Sequence, residues 1–398
     1  MQRIYMDFAA TSPTKPEVFN VMKPYFSEKF GNPSSIHSFG QLPRAAINSS
    51  RKKIAEFLNC EPSEIIFTSG GTESDNLAIR GSILAIQQNS KITIKPHIIT
   101  SSFEHHAILH TCKYLEKIGL VEVSYINPDK EGLIHAADVQ KAIKPNTVLV
   151  SIMYVNNEIG TVQPIAEIGK IIQKLKIVNC KLKIVFHTDA VQAVEYFDCD
   201  VKKLGVDMLS LSAHKFGGPK GTGILYVKKG TPVKAIQTGG AQENNLRAGT
   251  ENVPGIVGMG KAFDELQITN YKLRNKKMTK LRDYFIDMTT KKIPDVKLNG
   301  SKELRSPNNV NLSFKNAEGE SILLNLDQAG IAASSGSACT SGSLEPSHVL
   351  KAIGLPDEEA HGAVRFTLGE KTTKDEISHV IKNLVEIINK LREMSPYK

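Results

Sequence analysis

The chain has 398 residues, 40% hydrophobic and 23% charged, with a formal charge of +9; that is a globular composition with room for two domains and a large core. No stretch approaches a membrane span and no apolar leader opens the sequence, so neither a membrane protein nor a secreted one is expected. Nucleic-acid binding is not expected either, because no aromatic interleaving or known motif accompanies the positive charge.

In chain order, the first informative segment is Ile65-Ile-Phe-Thr-Ser-Gly-Gly-Thr-Glu-Ser-Asp-Asn-Leu-Ala78. It predicts a strand over Ile65–Thr68, a turn at Gly70 and Gly71, and a helix opening at Thr72. Backbone amides at such a helix start, with the Thr72 hydroxyl, make an anion cradle. An ordinary tight turn has the same sequence. The P-loop lysine and the GxGxxG spacing are missing, so a nucleotide is not expected. Strand-like runs follow at His97–Ser101 and Thr147–Val155, with a helical pattern over Ile165–Lys176.

The next strand-like run, Lys183–Thr188, leads into Asp189, with Gln192 three positions on. A buried carboxylate there would keep a cofactor's ring nitrogen protonated; equally, Asp189 suits a helix N-cap at a strand-to-helix turn. The run Met208–Ser212 then delivers Ser212, His214 and Lys215 to a turn rich in Gly and Pro, and a further apolar run, Gly223–Val227, follows. A lysine at a strand end beside a histidine and small hydroxyls is placed to hold a cofactor aldehyde as a Schiff base. A lone lysine in such a turn would more often be a solvated side chain.

Strands alternating with helices predict an α/β fold with a mainly parallel sheet and helices on both faces. The last two runs are too close for a crossover helix, so that pair is expected to be antiparallel. After about Val257 the pattern changes to long helices with a few strands. Between Lys272 and Arg305 stand eleven basic and four acidic residues. Leu281, Tyr284, Phe285 and Met288 there fall at helical spacing, which predicts an amphipathic helix with a basic outer face, either solvated or met by an acidic partner. The last informative segment, Ile331 to Ser343, holds Cys339 among five Ser and two Gly. Little in it builds a core, so a mobile loop carrying a thiol is expected. The other cysteines (Cys60, Cys112, Cys180, Cys199) form no CxxC pair, which suits a reducing, cytoplasmic setting; no metal site is expected.

Together these segments resemble a cysteine desulfurase of the NifS/IscS type, among the class V aminotransferases, which use pyridoxal 5′-phosphate. The resemblance runs nearly end to end. It is carried by Asp7-Phe-Ala-Ala-Thr11, Gly31-Asn-Pro-Ser-Ser-Ile-His37, Ser69 to Asn76, Glu104-His105, Val155-Asn-Asn-Glu-Ile-Gly160, His187-Thr-Asp189, Ser212-Ala-His-Lys215, Arg247-Ala-Gly-Thr250, Ser334 to Cys339, and Arg365. The Ser-Ser-Gly-Ser-Ala-Cys form is similar to the NifS/IscS branch rather than the branch with selenocysteine-lyase-like enzymes.

The resemblance implies a fold-type I enzyme, with a large cofactor-binding domain over 14–262. A smaller α/β domain would join 1–13 to 263–398 and carry the Cys339 loop. It implies that Lys215 holds the cofactor and moves protons at the substrate Cα. Asp189 would pair with the pyridine nitrogen and Gln192 with the phenolic oxygen. Gly71, Thr72, Ser212 and His214 would hold the phosphate, with Thr250 reaching the phosphate of the other subunit of a homodimer. His105 would stack on the ring and act as an acid or base. Asn157 would contact cofactor and substrate, and Arg365 would grip the substrate carboxylate. Cys339, as thiolate, would take the sulfur of L-cysteine, leaving alanine and an enzyme persulfide for an acceptor such as a NifU/IscU-like scaffold or a tRNA-thiolation protein. Some members dock a scaffold through a longer C-terminal tail than Met394 to Lys398, so docking of that kind is not expected. Two other classes stay open: another class V transaminase or lyase, including a selenocysteine lyase, and a silent scaffold. The thiol of Cys339 argues against the first, and the set Lys215, Asp189, His105 and Cys339 against the second.

Overall fold

A computed structural model describes residues 3–89, 94–178, 183–268, 271–335 and 345–394. Its strands are β1 (Ile4–Tyr5), β2 (Ile65–Thr68), β3 (His97–Ser101), β4 (Glu122–Ile126), β5 (Thr147–Ser151), β6 (Val185–Asp189), β7 (Met208–Ser212), β8 (Gly223–Val227), β9 (Val296–Leu298), β10 (Asn309–Phe314), β11 (Ile331–Ala332) and β12 (Ala363–Thr367). Seven of them form the central sheet, in the order β2-β8-β7-β6-β5-β3-β4. The fold is α/β, and the pairs from β7 to β4 are all parallel.

Within this sheet β8 runs against both of its neighbours. The ten residues between Ser212 and Gly223 include Gly217, Gly218, Pro219 and Gly221, which cannot build a crossover helix. The close pair is therefore antiparallel, as its spacing predicts.

Side chains alternate across this sheet with period two. Phe67, Ile99, Val150, Phe186 and Leu209 point into one core, with Ile54, Leu58 and Phe263 from helices. Ile66, Ile98, Leu149, Val185 and Met208 point into the other, with Leu77, Ile83 and Ile108. Each such fully buried side chain contributes about 1.5–3 kcal/mol. The face that begins at Val185 and Met208 carries His187, Asp189, Ser210 and Ser212 at its far end. The same alternation that builds the apolar core therefore ends in polar groups.

A separate core joins Ile4 and Met6 to side chains between Met278 and Ile388. The chain's two ends meet there, with β1 parallel to β11 and a three-stranded sheet, β12-β10-β9, beside them.

Several expectations need adjusting. β5 ends at Ser151 rather than Val155, because the chain leaves the sheet for a turn in which Asn156 Oδ1 accepts from the amides of Glu158 (2.9 Å) and Ile159 (3.0 Å). β6 starts later than Lys183 and includes Asp189. The edge strand β4 was not foreseen; it is only half-buried, so its apolar signal is weak. The helix Tyr271–Lys292 turns Phe285 into the second core, with Leu281, Tyr284 and Met288 packed against it. Its basic face is not wholly outward. Arg274 and Arg282 are buried, and Arg282 Nη1 donates to the carbonyls of Arg305 and Ser306, both at 3.1 Å. Arginine forks that satisfy loop carbonyls are structural charges, so the sequence count overstates the charge offered to a partner.

Candidate active site

The carboxyl ends of β2, β6 and β7 open onto one cavity of about 410 Å³, the position where open α/β sheets take ligands. Thr68 and Ser212 both pair with Gly223 at the start of β8. A Cβ on Gly223 would lie 2.6 Å from Gly70 Cα and from the Leu211 carbonyl, so only glycine lets the two strand ends approach. Gly70 turns at a φ of 151°, open to glycine alone, and the helix Gly71–Asn89 starts there. Its first amides, with Thr72, Ser212 and His214, line the cavity. A Cβ on Gly71 would come 3.0 Å from Val191 Cγ2 and crowd that concavity. The cradle suits an anionic group such as a phosphate.

Lys215 ends the short turn Ala213–Lys215 after β7. Its Nζ donates to the carbonyls of Ala9 (2.7 Å) and Ala10 (2.8 Å). The same N-terminal segment holds the turn: the Ser12 amide donates to His214 O at 2.9 Å, and the Gly217 amide to Ser12 Oγ at 2.8 Å. Ala9 and Ala10 had no assigned part, because small apolar residues act here through their carbonyls.

Asp189 Oδ1 accepts from the Val191 amide at 2.9 Å; it caps a turn rather than the helix its sequence suggests, because the next helix begins only at Val201. The carboxyl also faces the cavity. Burial pushes it up to about 6, against the pull of the Val191 amide and of Lys215. Asp75 lies beside it, fully buried, with Oδ1 lacking a hydrogen-bond partner among the described residues. Burial, and then the charge of Asp189, push Asp75 well above the usual carboxylate range. Two close buried carboxyls do not both ionise readily, and Asp189 holds the better claim to the charge. Beneath them His187 bridges Ser151 and Ser210, 2.9 Å to each; burial lowers it to about 3, so it is neutral.

His105 caps the helix His106–Lys117, its Nδ1 accepting from the Ala107 amide at 3.1 Å. That bond leaves the ring hydrogen on Nε2. Burial, then Lys215, lowers it to about 4. His214 is lowered to about 4 by the same two causes. Its Nδ1 lies 3.1 Å from Thr11 Oγ1. Glu104 is pushed up to about 8 by burial, although Ser101 Oγ (2.6 Å) and the Met153 amide (3.0 Å) donate to Oε1.

Arg365 on β12 brings a guanidinium to the same cavity. Nη1 donates to Asn157 O at 2.8 Å and Nη2 to Asp7 Oδ1 at 3.0 Å, while Nε has no partner among the described residues although Arg365 is buried. The chain entering 336–344 is tied here, since Ser334 and Arg365 exchange backbone hydrogen bonds of 3.1 and 2.7 Å. The chain leaving it is tied as well: Ser347 Oγ donates to Glu158 Oε2, and His348 Nε2 to Glu104 O at 2.9 Å.

Gly71, Thr72, His105, Asn157, Asp189, Gln192, Ser212, His214, Lys215 and Arg365 all line this one cavity. Thr250 is exposed and does not line it. Cys339 lies outside the described residues. Asp75, His106, Glu158 and His348 also line the cavity and were not singled out. Asp75 and Glu158 sit inside quoted motifs, Asp75 between Ser74 and Asn76 and Glu158 between Asn157 and Ile159, where nothing local marks an acid as buried. His348 carried none.

Comparisons with known proteins agree with this geometry. The family model described as aminotransferase class-V matches residues 4–380. A protein named cysteine desulfurase IscS from Dictyoglomus turgidum is 53% identical over 397 residues, covering 100% of this chain and 97% of its own. One of the same name from Methanosarcina thermophila is 51% identical, covering 99% and 94%. Among solved structures, a NifS-like protein superposes with a TM-score of 0.88 at 35% identity, covering 98% of this chain and 100% of its own. A structure titled SspA in complex with cysteine gives 0.80 at 38%, covering 94% and 100%. With the family pattern running from Ile4 to Val380 and a lysine, a carboxyl and an anion cradle gathered at the sheet's carboxyl edge, the chain belongs to the aminotransferase class-V family.

Proposed function

We propose that this protein is a pyridoxal-phosphate-dependent cysteine desulfurase, forming L-alanine and a persulfide on Cys339. The observation that carries the proposal is the single cavity shared by Lys215, Asp189, Arg365 and the Gly71/Thr72 cradle, with the chain on both sides of the Cys339 segment bonded to its wall. The names of the relatives and the cysteine-bound neighbour support it.

The residues fit the cofactor. Ser212, His214 and the first turn of Gly71–Asn89 suit its phosphate, Asp189 its ring nitrogen, and the Lys215 amine its aldehyde. When bound, the group supplies an electrophilic carbon and an electron sink. The rest falls to the chain. Asp189 keeps a negative charge against the ring nitrogen. Neutral His105 packs over the cavity without adding a competing positive charge. Gln192, whose Nε2 donates to Ala9 O at 2.9 Å, would be the donor for the phenolic oxygen. Arg365 and Asn157 orient the substrate carboxylate. Lys215 moves a proton at the substrate Cα. The Cys339 thiolate takes the sulfur: a C–S bond breaks, an S–S bond forms, and hydrogen leaves a thiol as another reaches carbon. No outside oxidant is needed.

We further propose a cytoplasmic homodimer in which exposed Thr250 reaches the partner's cradle, with a large unit over 14–262 and a small one over 1–13 and 263–398. A NifU/IscU-like scaffold, with tRNA thiolation as a second outlet, would receive the sulfur.

The test is Cys339→Ser. On mixing with L-cysteine its absorbance should shift as substrate binds, while alanine stays at background. The wild type should carry an extra sulfur mass on the Cys339 peptide, removable by dithiothreitol. If the variant makes alanine at the wild-type rate, a transaminase or lyase reading replaces this one.

A further inference from the structure

Three histidines form a line that none of the roles above uses. His106 and His348 line the cavity. One turn on along the helix from His106, His110 is exposed to solvent. The rings of His106 and His110 stack, with centroids 4.5 Å apart at 29°. The His348 ring makes a further contact with that of His106, at 4.6 Å and 38°. His348 is fixed from behind by Glu104 O, and His106 Nδ1 is buried with no hydrogen-bond partner among the described residues.

We propose that His106, handing on to His110 with His348 alongside, is the route by which protons pass between the cavity and bulk water during turnover. The inference rests on the desulfurase reading and deepens it. That reaction must draw a proton from a thiol at one stage and deliver one to carbon at another, with no net gain and no electron transfer to outside. A neutral imidazole accepts a proton on one nitrogen and releases it from the other. Stacked rings do not hydrogen-bond face to face, so the hand-over between them runs through bridging water. His106 rests as a neutral imidazole and holds a transferred proton only in passing. Burial lowers it to about 4, helped by His348, His110 and Lys113. The other charges near this line are Lys215, which acts on His105, and Glu158, which feels His348.

The experiment compares His106→Gln and His110→Gln holoenzymes with wild type, reading alanine formation from L-cysteine. His106→Gln should lower kcat on the order of 10-fold, less than the 10²–10⁴ of a group that transfers a proton directly to the reacting atoms, with KM unchanged. His110→Gln should do so less. The solvent isotope effect on kcat should rise, and added imidazole should restore the rate. An unchanged bound-cofactor absorbance shows that the site is intact; where Gln abolishes that absorbance, His106→Asn takes its place. An unchanged kcat, a change in KM alone, or a loss that imidazole leaves unrepaired would each overturn the route. A wild type that makes no alanine overturns the desulfurase reading instead.

Discussion

Gln192 and Lys215 converge on one acceptor, the carbonyl of Ala9, at 2.9 and 2.7 Å. Two cavity donors from the ends of β6 and β7 are thus held by a segment that belongs to the second core. The N-terminal segment is therefore part of the site's wall. Lys215→Ala removes both ammonium bonds and the amine. It should cost at least about 10²-fold in kcat, since a positioned proton carrier supplies 10²–10⁴. After borohydride reduction of wild-type holoprotein, peptide mass analysis should find the cofactor on Lys215. A label on another lysine would remove the assignment.

The buried acids give a pH signature. Glu104 titrates near 8 when folded and near the usual carboxylate value when unfolded. Stability from its protonated form is thus complete below about 4.5 and is lost as pH rises toward 8, at up to about 1.4 kcal/mol per unit. Glu104→Gln cannot ionise. The Tm gap between this variant's apoprotein and the wild type should widen from pH 5 to pH 8 in the variant's favour; a flat gap would show that Glu104 is not protonated in the fold. His187, lowered to about 3, acts in the opposite sense, and both proteins should lose stability as pH falls below about 6.5.

Gly223 tests the cradle from a position that touches no ligand. An added methyl meets Gly70 Cα and the Leu211 carbonyl, both backbone, so the strand ends must separate at a cost of about 1–3 kcal/mol. Gly223→Ala should lower Tm and weaken cofactor binding roughly 10-fold or more, about 1.4 kcal/mol, measured by equilibrium dialysis. Retained affinity would mean that the cradle tolerates a wider gap.

Arg365 holds Asn157 O and Asp7 with two nitrogens of one fork. Lysine keeps the charge but not the fork. Arg365→Lys should raise KM for L-cysteine about 10-fold or more while cofactor absorbance stays the same, because a lost bidentate carboxylate contact affects substrate first. A fall in kcat alone would move Arg365 from substrate binding to the chemistry.

By itself the sequence determined the α/β pattern, the antiparallel β7–β8 pair and the motif residues, because period-two alternation and Gly/Pro turns are local properties of the chain. It identified Lys215, Asp189 and Thr72 because each stands where an apolar run breaks into a turn. Only the tertiary structure decided that Ala9 and Ala10 serve through their carbonyls, that Asp75 crowds Asp189 and so competes for its proton, and that His348 meets His106 from 242 positions further along the chain. It also turned Arg274 and Arg282 inward, against the basic outer face read for their helix. Those outcomes depend on burial and on distances between segments far apart in sequence. Burial sets a carboxyl's charge and a guanidinium's partner, and no local pattern records it.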